Sequence, residues 1–389
     1  MNERSSANES GATQEGRGAA ETARTLPIDF DVYLDDFRRH VLAPYGCGRG
    51  SSDAPTDAGA ARALVPPGTA ALRDFSYVAP EIPELVEAAC VGCMECVTEC
   101  PDTAILAKVA EPAVLDAALE AVDDETERTD LRRQWTRTQK YFEGPQKRGE
   151  APGLFGVFVD PAKCKGCGEC VTACGEHRAL RMVRKMEDTI PRRRSAFEFF
   201  RGEPPTPPHF IRDKTLVDMM LAFERSLLYV GGAGSCAGCG EATAIRMMLA
   251  ASGFSEGKGN VGVVAATGCN TVFGSTYPYN PFLVPWTNSL FENAPAVAMG
   301  IRIRWNQLGW QSKRLWVIGG DGALYDIGFQ SLSRLLASGL DVKVLVLDNR
   351  SIRTPAGRRA PRASAPNRVG CRPPARCSPG RARRGRSLR

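Results

Sequence analysis

The sequence has few of the features that would place a protein in a membrane or outside the cell. Its 389 residues contain no run of eighteen apolar side chains, so no segment reads as a membrane-spanning helix. The opening stretch "MNERSSANESGATQEGRGAAETART" has no apolar core; residues 1–30 read as a disordered lead-in and not as a secretory signal. Histidine is scarce: His40, His177 and His209 form no cluster and read as surface or loop groups. The last forty residues, 350–389, lack lysine, acid and aromatic residues altogether. They hold 13 arginines, so the formal charge of +6 belongs to this tail, and the first 349 residues carry −7. That is the balance of an ordinary acidic cytosolic protein. Partners of the main body need not be nucleic acids.

Cysteine, by contrast, is abundant, with 14 in the chain. Without a secretory signal this argues against a disulfide scaffold and for metal-bound thiolates in a reducing cytoplasm. The strongest pattern is "CVGCMECVTECP", which gives Cys90, Cys93, Cys96 and Cys100 ahead of Pro101. The same C-x2-C-x2-C-x3-C spacing returns in "CKGCGECVTAC" as Cys164, Cys167, Cys170 and Cys174. In this arrangement three closely spaced thiolates wrap one [4Fe–4S] cube and the fourth reaches the neighbouring cube. Zinc ribbons use two separated pairs, not four cysteines in eleven residues. Two [4Fe–4S] clusters in an α+β, bacterial-ferredoxin-like domain over residues 31–200 are therefore expected. Two departures stand out. The second run has Gly175 where the first has Pro101, and 63 residues separate Cys100 from Cys164. Within that spacer, an inserted helical hairpin is expected over 102–155, with its charges in solvent.

A third motif, "GSCAGCGE" at 234–241, places Cys236 and Cys239 in a glycine-rich loop. By itself a CxxC serves equally as a redox disulfide, half a zinc site or half an iron–sulfur site. The proline-rich "GEPPTPPHF" before it reads as a connector, and "RRR" at 192–194 as a solvated linker or a dock for an acidic carrier. Cys47 has no sequence partner and reads as structural.

From about residue 213 to 349 the texture becomes α/β. "NVGVVAATGC", "RLWVIGGDGA" and "VKVLVLDN" are short apolar runs ending in small or polar residues. "GEATAIRMMLAAS", "APAVAMGIRIRWNQLG" and "IGFQSLSRLLASG" have helical apolar spacing. The pattern predicts a parallel sheet with helices, whose ligands gather beyond the carboxyl ends of the strands. At one such end "GGDG" is followed, 28 residues after Asp321, by Asn349. This is the thiamin diphosphate signature. Asp321 and the Asn349 side-chain carbonyl offer hard oxygens to Mg²⁺, and Gly320 and Gly322 let a phosphate approach the backbone.

The two cysteine runs, "GSCAGCGE", "ATGCN", "PWTNSLFENA" and the stretch from "GGDGALYDIG" to "VLVLDN" together resemble the C-terminal part of the pyruvate:ferredoxin oxidoreductases, within the 2-oxoacid:ferredoxin oxidoreductases. The resemblance covers residues 76–349. It implies that Cys236, Cys239 and Cys269 ligate a third [4Fe–4S] cluster close to thiamin, with a fourth ligand further downstream. It implies that Glu241, with Gly240 and Thr267 beside it, lies at the cofactor, Glu241 near its aminopyrimidine. The implied activity is decarboxylation of a 2-oxo acid, with single electrons passing through the clusters to ferredoxin or flavodoxin and coenzyme A taking the acyl group. A 2-oxoglutarate or branched-chain enzyme is the alternative within the class, and a bare electron carrier the alternative outside it. Residues 1–75 have no counterpart of the family's domain that supplies a second glutamate and the 2-oxo acid site. A companion subunit in a homo- or hetero-oligomer is therefore implied.

After Asn349 the family continues with a "VYSNTGG"-like loop, where this chain reads "RSIRTPAGRR". Suitable codons for Asn349 to Arg359, shifted by one base, encode "QVYSNTGGQT". Residues 350–389 are therefore expected to be a frameshift product without a fold, which would impair the chain's activity. A basic arm for nucleic acid is the rival reading; the tail's want of aromatic residues and periodicity speaks against it.

Overall fold

The computed structural model describes residues 67–349 apart from 275, 277 and 278, together with 39 and 43–48. The expected lead-in and the arginine-rich tail lie outside these residues. The chain divides into two compact units, 1–54 and 55–389. In the first, one helical turn, Ala43–Gly46, is described, and Cys47 after it is exposed rather than packed into a core.

The second unit opens with β1 (Glu81–Leu85), leading through the first cysteine loop to α1 (Glu95–Glu99) and β2 (Ile105–Ala110). Two helices follow, α2 (Pro112–Glu120) and α3 (Glu125–Arg132), then β3 (Trp135–Thr136) and β4 (Leu154–Val159). The second cysteine loop runs into α4 (Glu169–Cys174), β5 (Leu180–Arg184) and α5 (Thr189–Gly202). β1 and β5 pair antiparallel, with Ile82 opposite Val183 and Leu85 opposite Leu180. β2, β4 and β3 form a second sheet in that order. Every residue of "ILAKVA" and "LFGVFV" in β2 and β4 is buried, which suits continuous apolar runs covered on both faces. Lys108 is the exception in charge. Its ammonium donates to Phe200 O at 2.7 Å and Glu203 O at 2.5 Å, capping the end of α5, and lies over the Phe200 and Phe223 rings.

The insertion is shorter than the sequence suggests. Residues 105–110 and 154–155 are paired strand, with Ala110 opposite Leu154, so the excursion spans 111–153. α2 and α3 are its helical part. Pro112 starts α2, and Asp124 caps α3 by accepting from Glu127 N at 2.8 Å. The inner end is no solvated spacer. Trp135 packs over Gly156, and Tyr141 stacks on Phe155 at 5.3 Å between centroids while touching the first cysteine loop at Gly92.

Two further expectations change. "RRR" lies inside α5, where Arg192 pairs with Asp130 at 3.4 Å, buried Arg193 with Glu84 at 3.6 Å, and Arg194 with Asp74. Pro191 falls in the first turn, where its missing N–H costs little, so the helix starts before the arginines. "GEPPTPPHF" is tied down as well. Thr206 Oγ1 accepts from Val109 N at 3.1 Å, and Phe210 is buried edge-on against Tyr141.

The α/β part contains α6 (Gly240–Glu256), β6 (Val261–Ala266), α7 (Cys269–Gly274), β7 (Trp286–Ser289), α8 (Ala294–Gln307), β8 (Arg314–Gly320), α9 (Phe329–Ala337) and β9 (Lys343–Leu347). Its sheet is parallel throughout, in the order β7-β6-β8-β9. Val261, Val263, Val264, Val317 and Ile318 are all buried, each contributing about 1.5–3 kcal/mol. β7, within "PWTNSLFENA", is the one strand the apolar pattern did not reveal, because only its first residue is strongly apolar. This sheet does not stand apart from the cysteine loops: Met220, Leu221 and Ala250 pack into the same core as Val97, Cys100 and Cys174.

Candidate functional site

All twelve cysteines among the described residues are free thiols. Eight of them ring two cavities. One, of about 330 Å³ including its mouth, is lined by Cys164, Cys167 and Cys170 and by Cys100 from the other run. The second, of about 340 Å³, is lined by Cys90, Cys93 and Cys96 and by Cys174. α1 and α4 produce this exchange, because each has a cysteine in its first turn, Cys96 or Cys170, and another at its C-terminal end, Cys100 or Cys174, that serve different cavities. Among the described residues no three His, Cys, Asp or Glu groups close to the spacing of a single metal ion. The thiols instead surround a space.

The two loops follow one backbone path. Gly92 and Gly166 are left-handed at φ 74° and 63°, and so are Met94 and Gly168 at 72° and 80°. Ala104 N donates to Cys100 Sγ at 3.2 Å, and Ala179 N to Cys174 Sγ at 3.1 Å. Such N–H···S bonds stabilise negative sulfur and tune any cluster it holds. Burial pushes the Cys90 thiol up to about 11 and that of Cys164 to about 12, with neighbouring thiols adding to the rise. Cys96 and Cys100 rise for the same first reason. Thiols gathered in this way ionise together only around a cation, which is the chemistry of an iron–sulfur cage.

The "GSCAGCGE" loop lies against the first of these cavities. A Cβ on Gly238 would fall 3.6 Å from Cys167 Cβ and 2.9 Å from Glu169 Oε1, and its φ of 72° favours glycine at this approach. Lys165, buried between Cys164 and Cys167, donates to Ala233 O at 2.8 Å and Ser235 O at 2.9 Å. It also lies 2.7 Å from Asp102, an ionic contact without a well-directed hydrogen bond at Oδ1. Cys236 is exposed, while Cys239 and Cys269 pack against the same apolar cluster. Gly231 approaches the first run closely enough that a Cβ would sit 1.8 Å from Asp102 O.

A third cavity, of about 410 Å³, opens beyond the carboxyl ends of β6, β8 and β9. Glu241, Thr267, Cys269, Asn270, Gly320, Asp321, Gly322 and Asn349 are among its walls. The chain leaves β6 toward β7 on one side and returns to β8 on the other, so the cavity occupies the switch point where α/β sheets bind ligands. Thr267 fixes the loop by donating from N and Oγ1 to Ser289 O at 3.1 and 2.8 Å. Asn349 Nδ2 donates to Glu241 Oε1 at 2.6 Å, so this bond uses the amide nitrogen and not the oxygen. A Cβ on Gly320 would meet nothing nearer than Leu347 O at 3.9 Å, so the strand end is open to an incoming group. A carboxylate, an amide and open backbone suit a magnesium-bound diphosphate. The cysteines whose thiols face two cavities suit iron–sulfur cubes.

Comparison with known proteins agrees with this division. Residues 266–368 match the family described as thiamine pyrophosphate enzyme, C-terminal TPP binding domain. Residues 157–180 match a 4Fe-4S binding domain. The pyruvate synthase subunit PorB of Pyrococcus horikoshii is 44% identical over 125 residues, covering 30% of this chain and 37% of that protein. The probable pyruvate-flavodoxin oxidoreductase of Escherichia coli is 26% identical over 84% of this chain and 31% of its own length. The pyruvate:ferredoxin oxidoreductase of Moorella thermoacetica is 26% identical over 80% and 31%. This chain is a relative of the pyruvate:ferredoxin oxidoreductases. It spans about a third of the length of these curated relatives.

A match to a TPP-binding domain and a match to a 4Fe-4S binding domain thus fall within one chain. Among the described residues no helix is long and apolar enough to cross a membrane. Sequence reasoning missed several neighbours of the sites. His177, read as a loop group, lines the cavity of Cys90 and Cys174. Lys165 and Asp102 sit beside motif cysteines and carried no signal of their pairing. Arg246, in α6, is 4% exposed and donates to Val97 O and, at 3.0 Å, to Thr98 O, both in α1.

Proposed function

We propose that this chain is the electron-carrying and thiamin-binding part of a 2-oxoacid:ferredoxin oxidoreductase, with pyruvate as the favoured substrate. Coenzyme A accepts the acyl group, and electrons pass to ferredoxin or flavodoxin in the cytoplasm. The observation that carries the reading is the succession of cysteines from the third cavity to the two ferredoxin-type ones. Cys269 forms a wall of the cavity containing Asp321, the CxxC loop abuts Cys167, and Cys100 and Cys174 cross between the two ferredoxin-type cavities.

Bound thiamin diphosphate would supply the electron sink for decarboxylation. Within the chain, Asp321 and the Asn349 oxygen would hold Mg²⁺, and Glu241 would orient Asn349 through its amide. Thr267, Gly240, Gly320 and Gly322 would leave room for the phosphates. Glu241 would thus reach the metal end of the cavity through Asn349, in addition to the place near the aminopyrimidine that the resemblance implies. Cys236, Cys239 and Cys269 would give three ligands of the third cluster, the fourth lying past residue 349. A companion subunit would supply a second glutamate and the 2-oxo acid pocket, as fits a relative that is itself named as a subunit. For residues 350–389 the single-base shift is our reading, and the family match reaching residue 368 makes resequencing of the locus its direct check.

Anaerobic reconstitution of the chain with its reading frame restored past Asn349, and with the companion subunit present, tests the whole. About twelve irons per chain support three cubes, and about eight support the ferredoxin pair alone. Calorimetric binding of thiamin diphosphate that depends on Mg²⁺ is expected. Eight irons with no thiamin binding would instead mark a bare electron carrier.

A further inference from the structure

The same four-cysteine motif builds both ferredoxin-type cavities, yet the ends of the two helices that carry them differ. α4 closes on its own backbone, where Gly175 N donates to Thr172 O and Val171 O. α1 is closed from outside by α6, the helix that follows the CxxC loop. Thr243 Oγ1 donates to Glu99 O at 3.3 Å, and the Arg246 guanidinium donates to Val97 O and Thr98 O. A fully charged group is thus held in the core at the turn that ends in Cys100. Its charge bears on Cys100 first and Cys96 second.

Other charges around the Cys100 cavity largely offset one another or are more exposed. Asp102 is paired with Lys165, while Glu169 lies at the surface near Cys167 and Lys185 faces Cys164. Around Cys90 and Cys96 the nearest charges are other thiols, with His177 in the cavity wall and Arg246 acting on Cys96 less than on Cys100. Adding an electron to a cluster makes it more negative by one charge, and a buried cation favours that form.

We propose that Arg246 is a potential-setting residue, which makes the cluster held by Cys100, Cys164, Cys167 and Cys170 easier to reduce than its neighbour. The proposal rests on the iron–sulfur reading above. Electrons arriving from the CxxC side then meet the more favourable cluster first.

The test is a redox titration of the full chain, reconstituted anaerobically and followed by electron paramagnetic resonance. In the natural chain the two signals should titrate apart, and Cys174→Ser should change the line shape of the lower-potential one. Arg246→Gln should move the higher-potential signal to more negative values and narrow the gap, while Arg246→Lys should preserve most of it. Three results overturn the proposal: iron-loaded Arg246→Gln with unmoved potentials, Arg246→Lys shifting as far as Arg246→Gln, or Cys174→Ser altering the higher-potential signal. Should Arg246→Gln fail to take up iron, the order revealed by Cys174→Ser still decides. A natural chain without either signal would remove the cluster reading itself.

Discussion

Asn349 and Glu241 are 108 positions apart in sequence and joined by a 2.6 Å hydrogen bond between amide and carboxylate. The bond links the end of β9 to the first turn of α6, so the magnesium motif and the cysteine loop constrain each other. Glu241→Gln should weaken magnesium-dependent thiamin diphosphate binding about tenfold, the usual cost of losing an outer partner of a metal ligand. Calorimetry measures this directly. Equal affinity in the variant would show that Glu241 does not orient Asn349.

The exchange of cysteines between cavities, expected from the motif, gives a prediction that grouping the cysteines by run would reverse. Cys90→Ala with Cys174→Ala removes residues from both runs but from one cavity, so about four irons should be lost and the other ferredoxin-type cube retained. Cys164→Ala with Cys174→Ala stays within one run and damages both cavities, so both signals should be lost or altered. Iron analysis distinguishes the two.

Lys108 provides a pH prediction. Burial lowers its pKa from 10.5 to about 8, so between those values the unfolded chain binds the extra proton. Stability contributed by this site therefore rises with pH from about 8 to 10.5, by no more than about 3 kcal/mol. The difference in urea stability between the natural chain and Lys108→Met should grow across that window in favour of the natural chain. The thiols titrate in both and cancel. A constant difference would count against the shift.

Gly231→Ala should be among the most costly single substitutions. Its φ of 73° disfavours a side chain, and the added Cβ would overlap Asp102 O, a backbone atom that cannot swing aside. A loss of about 3 kcal/mol is expected in chemical denaturation. Gly175→Ala, with φ 51° but open space around it, should cost about 1 kcal/mol.

Much of the architecture was legible because it is written in local spacing. The x2 spacings of the cysteine runs, the apolar strands and the Asp321–Asn349 interval are properties of short segments, and the ferredoxin-like and thiamin folds follow from them. What stayed hidden depends on contacts between distant segments. "RRR" reads as solvated because the acids that pair with it, Asp74, Glu84 and Asp130, lie more than sixty residues upstream. The tie between Lys165 and Ser235 is equally remote, as is the reach of Arg246 to α1. Strand β7 escaped because a four-residue edge with two exposed polar positions has almost no pattern to read.

The excursion between β2 and β4 leaves from Ala110 and comes back to Leu154 directly across the ladder. Its outer helices hang from a doorway one strand-spacing wide, so chain can be added or trimmed there without shifting any sulfur. The tolerance stops at the threshold, where Trp135 covers Gly156 of β4 and Tyr141 braces the loop of Cys90 and Cys93 at Gly92. Shortened forms of this protein should keep their iron for as long as those two rings remain in place.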